Sequence, residues 1–324
     1  MHPGLATHAR HTARAGLALV GFVLFAACAA APARYQPGRL GEGQIAVLRA
    51  AEAAYRAEQP DYAVRRAEVW RDPDATGWLV RMFVHDVFAV REQRPLASRP
   101  EELARRAAGQ DPVEARAIEE IRAAGERAVP VLVGDLLLDD QPLHRELGIE
   151  LLAEVGAPAR QALFEVARTG SVKARRAAAR ALGLVGLDAP SLQQLTAMLV
   201  DGDYTVRADA ARGLASGGVA GLPVLLAHLD AERDPFVVRT IVQAMGELRV
   251  RASGDALVAR LERCIASRDD EGERAAQAAL QRLTTTRGVR SVAAWRELVK
   301  TMPEASASEP TSKQRPALTK DRDG

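Results

Sequence analysis

One pattern recurs five times along the last two-thirds of the chain. The segments HRELGIELLAEVG (144–156), ARRAAARALGLVG (174–186), VRADAARGLASGG (206–218), VRTIVQAMGELR (238–249) and ERAAQAALQRL (273–283) each carry an arginine in second place and continue as an apolar helix. Those arginines, Arg145, Arg175, Arg207, Arg239 and Arg274, stand 30 to 35 residues apart. A fixed period in this range means stacked helical layers, because a single unit cannot bury its apolar stripe without a neighbour.

Composition supports helical layers. The chain is 48% hydrophobic but only 4% aromatic, so the apolar mass is mostly Ala, Leu and Val. Small side chains on facing helices allow close, repetitive packing. Runs with two-residue apolar alternation are nearly absent, which argues against a sheet. The formal charge is +2, and Arg10 and Arg14 supply that excess before Cys28. A neutral remainder with interspersed signs is poorly suited to nucleic acid, where affinity rests on phosphate neutralisation. The two cysteines, Cys28 and Cys264, imply no disulfide framework.

Within residues 99–302 each unit reads as helix A, a short polar turn and helix B. The A helices carry early prolines, Pro130, Pro158, Pro190 and Pro223, which a first turn tolerates. The turns hold Asp139 and Asp140, Ser171, Asp201 and Asp203, Asp230 and Asp234, then Asp269 and Asp270. Gly156, Gly186 and Gly218 read as C-terminal stops of the B helices. The last unit lacks such a glycine around Thr284–Thr286. Proline in helix A, Asp in the turn and a Val-Arg pair opening helix B resemble HEAT repeats, including the A-L-G variant shared with phycobilin-lyase-type repeats. The resemblance is clearest in DYTVRADAARGLASGG (203–218) and SVKARRAAARALGLVG (171–186). It implies an all-α fold, a right-handed α-α superhelix, and a protein or peptide partner rather than a reaction or a cofactor.

Two sets of residues follow from the resemblance. The arginine column implies a structural ladder with the turn acids four or five residues before it. Its members are Asp140, Arg145, Arg175, Asp203, Arg207, Asp234, Arg239, Asp270 and Arg274. Exposed B-helix positions line a concave face: Glu146 and Glu150, Arg176 and Arg180, Asp209 and Arg212, then Gln243 and Glu247. A face passing from acidic to basic to mixed suits a partner with patterned charge.

The chain starts with Arg10, His11 and Arg14, followed by an apolar run from Ala15 to Ala27. That run is too short to span a bilayer comfortably and has the anatomy of an export signal over residues 1–27. Leu24-Phe25-Ala26-Ala27-Cys28 resembles a lipobox, which implies lipid on Cys28 and membrane attachment. Ala29 after the cysteine implies the outer membrane, with the body facing the periplasm. A plain signal peptide with a soluble product is the competing reading. Residues 28–43 read as a Pro/Gly tether, and 303–324 as a disordered tail.

Residues 44–98 do not follow the repeat. They predict a helix over 45–58, one over 61–70, and one from Asp74 to Arg94 that is apolar over most of its circumference and so buried. Together they predict an N-terminal cap. Residues 287–300 predict a closing helix with Trp295 tucked inward. His85 and Asp86 point about 100° apart on a helix and make no dyad. His144 and His228 read as helix-end residues, and Cys264 as a buried thiol among Val258, Leu261 and Ile265. No catalytic or metal motif is present. The alternatives are a lyase or isomerase acting on a bilin-like chromophore, or a purely structural spacer.

Overall fold

The computed structural model describes residues 40–92, 111–289, 291–302 and 304. The leader with Cys28, most of the tether, the first residues assigned to the solenoid and nearly all of the tail lie outside the described residues. Every regular element described is helical.

Seven helices stack in a row: α3 (Pro73–Glu92), α4 (Pro112–Ala124), α6 (Pro142–Val155), α8 (Val172–Val185), α10 (Tyr204–Ser216), α12 (Pro235–Glu247) and α14 (Asp270–Thr284). Each packs on the next. A second row lies behind it: α5, α7 (Arg160–Thr169), α9 (Ala189–Met198), α11 (Leu222–Leu229), α13 (Arg251–Ser267) and α15 (Val292–Lys300). α5 is composite, with a 3-10 turn (Gly125–Ala128), an α-turn (Val129–Val131) and a π-helical stretch (Leu132–Leu137). Two further helices, α1 (Glu42–Arg56) and α2 (Tyr62–Val69), pack on each other and on α3.

The turns explain why the elements begin where they do. Asp111, Asp203 and Asp234 each accept two backbone N–H groups of the helix they open. Ser171, Asp188, Asp269 and Ser291 each accept one. Each such cap contributes about 1 kcal/mol. Gly156 and Gly186 close α6 and α8 with φ of +74° and +108°, values that cost a side chain. Thr285 ends α14 at φ +57° without a glycine, and Arg268 ends α13 at φ +56° in the same way, so these ends carry strain that Gly156 and Gly186 spare α6 and α8.

The layers approach as closely as backbones permit. A Cβ on Gly183 of α8 would stand 2.6 Å from the Cα of Gly213 on α10. A Cβ on Gly246 of α12 would stand 2.8 Å from the Ala279 carbonyl oxygen on α14. Around these crossings Ala178, Ala179, Ala210, Ala211 and Leu214 are fully buried.

Several boundaries differ from the expectation. α1 begins at Glu42, because Gly41 and Gln44 close a capping arrangement upstream of the apolar run. Asp72, not Asp74, caps α3, accepting from the Ala75 N–H at 2.9 Å. α3 is not buried all round: Trp78 is 38% exposed, with the Arg81 guanidinium over its ring. Ile265 is 45% exposed, so it lines the surface rather than the Cys264 environment. The closing helix starts at Val292, after Gly288 turns the chain, and Trp295 is 1% exposed beneath it. No helix among the described residues is long and apolar enough to cross a membrane.

Candidate functional site

Helix geometry places residues four apart on one face, so Glu146, Glu150 and Glu154 of α6 line up, as do Arg176 and Arg180 of α8. Adjacent layers set these columns side by side. The result is a lattice of ion pairs across the outward face of the first row. The Arg180 guanidinium grips both carboxylate oxygens of Glu146, and this contact holds the Glu146 carboxyl below its ordinary range. Arg176 donates to Asp209 at 2.7 Å, and Arg212 donates to its other oxygen at 2.6 Å. Asp209 is only 2% exposed, so it anchors two layers rather than greeting solvent. Arg122 reaches Glu154, and Arg282 reaches Glu247 at 3.0 Å. Arg91 of α3 bridges Glu114 at 2.8 Å and Glu150 at 2.7 Å. Of the eight residues assigned to the face, seven are engaged in this lattice. Gln243 is exposed and stands outside this lattice among the described residues.

This changes the electrostatic character of the face. The sequence presents alternating charge blocks, whereas the structure pairs each block with its neighbour. Exposed pairs of this kind contribute about 0–1 kcal/mol each. A charged partner must therefore exchange existing pairs.

The arginine column lies along the edge where the turns meet the first row. Arg175 donates Nη1 to its own turn, at the Gly170 carbonyl (3.1 Å). Its Nε and Nη2 fork onto Asp201 of the next turn, both at 2.9 Å. Arg207 repeats this with the Asp201 carbonyl at 3.0 Å and the Glu232 fork at 2.9 and 3.2 Å. Arg239 reaches Glu271. Among the described residues the hydrogen bonds of the Arg145 and Arg274 guanidinium groups go to the carbonyls of Asp139 and Asp270.

The fork acids are thus not those that the spacing suggests. Asp203 and Asp234 cap their own helices. Asp140 pairs with Lys173 at 3.1 Å, and Asp270 meets Arg274 through its carbonyl. The carboxylates that hold the column sit one layer onward, beyond the reach of a spacing rule confined to one turn. Burial raises the Glu232 carboxyl, but the Arg207 fork and the N–H groups of Asp234 and Arg233 outweigh it, bringing its pKa to about 2.

The remaining singled-out residues are structural in their contacts. His85 Nδ1 lies 4.0 Å from Asp86, whose carboxylate takes both terminal nitrogens of Arg56. His144 stacks edge-on to Phe88 and lies 3.3 Å from Asp139. His228 meets Glu232 one turn on at 3.3 Å. Cys264 is buried, 3.6 Å from Asp269, and burial pushes its thiol pKa up. Among the described residues no three His, Cys, Asp or Glu side chains are grouped to hold a metal ion.

No curated protein matches the chain in sequence. Residues 132–215, from the π-helical stretch of α5 to the end of α10, match the family model for HEAT repeats. Paired helices, capped acidic turns and a forward-reaching arginine column lie within that span and continue beyond it, so the fold is an all-α solenoid of the HEAT-repeat kind.

Proposed function

We propose that this protein is a non-catalytic, protein-binding scaffold of the bacterial cell envelope, its solenoid coiled right-handed with the first row on the concave side. A lipid on Cys28 tethers it to the outer membrane, facing the periplasm. The observation that carries the scaffold reading is the first row itself: seven consecutive helices present one continuous outward face. HEAT repeats generally mediate protein interactions, and extended faces of this kind bind by shape over many small contacts. The lipid reading rests on the sequence around Cys28; several acyl chains together give stable anchoring where one does not.

Two experiments test these parts separately. A photo-crosslinking side chain at Leu184 or Gln243, both exposed on the first row, should trap a defined envelope protein in cells. The same group at Gln161 or Arg168 on the second row should trap far less. Equal labelling at both rows, or none, overturns the scaffold reading and leaves a spacer. Metabolic labelling with a palmitate analogue should mark the wild type and not Cys28→Ala; an unlabelled wild type removes the anchor.

A further inference from the structure

The column of arginines contains its own control. Arg175 and Arg207 are built alike: Nη1 holds a carbonyl of the turn before the helix, while Nε and Nη2 grip a carboxylate from the turn after it. That carboxylate stands two residues before the helix cap in both cases: Asp201 before Asp203, and Glu232 before Asp234. Arg145 makes the first half of this arrangement, with Nη1 on the Asp139 carbonyl at 2.7 Å. The turn that should supply the second half reads Thr169-Gly170-Ser171 and contains no acid. Position two before the Ser171 cap is Thr169, whose hydroxyl donates to the Glu165 carbonyl. Among the described residues nothing bonds the Arg145 Nε or Nη2.

We infer that the Arg145 fork is a docking point for an aspartate or glutamate side chain on an extended segment of a protein partner. This rests on the scaffold reading and assigns one of its contacts. A planar guanidinium already fixed by one carbonyl presents two parallel N–H groups at the spacing of a carboxylate, and its neighbours in the same chain hold that group. Lys173, 60% exposed in its side chain, adds positive charge on the same edge, where it pairs with the exposed Asp140. Leu143 (59% exposed) and Val172 (37%) open α6 and α8 on that edge and offer apolar contact to residues flanking the acid. A phosphate dianion is the poorer fit, because Asp139 and Asp140 flank the turn and would repel its extra charge.

The test uses the full chain and an array of 12-residue peptides. Each carries one Glu or Asp between leucines and is printed beside its Gln, Asn and phosphoserine counterparts. The wild type should prefer the carboxylate members, by at least tenfold in Kd when the best are measured in solution. Arg145→Gln should lose that preference with its helical circular dichroism unchanged. Thr169→Asp, which supplies the missing acid from within, should also lose it while raising Tm. Absence of a carboxylate preference, its survival in Arg145→Gln or in Thr169→Asp, or tighter binding of the phosphoserine members overturns the inference. If the first-row crosslinks persist in any of these outcomes, the scaffold stands and only the Arg145 contact falls.

Discussion

The N-terminal helices and the central layers solve the same packing problem by opposite means. Around α1 to α4 the core is built from large rings. Tyr55 meets Phe83 at 5.1 Å and Tyr62 at 5.4 Å, and the Arg116 guanidinium lies 4.2 Å from the Tyr55 ring centre. Arg66 covers the Trp70 ring at 4.4 Å and donates to the buried Glu120. In α8 to α12 there is no ring in the core; Gly and Ala let backbones touch, and forked ion pairs close the edge. An end layer has no copy of itself on one side, so bulky side chains must fill irregular space. An inner layer faces a near-copy, and small residues let the same contact repeat.

The largest test of this contrast removes a ring. Phe83→Ala, at a site fully buried, should cost about 4 kcal/mol, read as a fall in the urea midpoint. Protection from hydrogen exchange should be lost in α1 to α4 and largely retained in α10 to α14, because layers contact only their neighbours. The opposite change tests the middle. Gly183→Ala adds one methyl against the Gly213 backbone and should destabilise by about 2 kcal/mol, although alanine favours a helix over glycine by about 1 kcal/mol. Unaltered stability there would mean that the close crossing is not required.

Acid should distinguish the edge from the rest. The Glu232 pKa is depressed from 4.5 to about 2, so its contribution is complete above 4.5 and fades as pH falls towards 2. Glu232→Gln should lower stability at neutral pH and flatten the loss between those two values, followed by chemical denaturation at stepped pH. The smallest effect belongs to the exposed lattice: Arg282→Ala, which frees Glu247, should change stability by no more than about 0.5 kcal/mol. A larger loss would give the face lattice a weight comparable to the edge.

Much of this was open to reading. The arginine spacing reports the layers directly, and the prolines and turn acids place the helix starts. The face positions Glu146, Arg176 and Arg180 follow from the repeat resemblance together with helical periodicity, whereas the burial of Asp209 does not. Their pairing does not: Arg176 meets Asp209 from 33 positions away, and Arg175 meets Asp201 from 26. Such partners depend on how layers register, which periodicity leaves open. The same limit hid Gly183 and Gly213, whose importance appears only when the two backbones are seen to cross. Trp78 misled for a related reason, since an apolar residue on a helix says nothing about whether a neighbour exists to cover it.

The crossing of Gly183 over Gly213 has a mechanical consequence. With no side chain between the two backbones, the gap between α8 and α10 is already at its floor, and substitution can only widen it. Under load that crossing therefore resists compression, and a pull that separates the two layers meets no side chain able to follow and fill the gap.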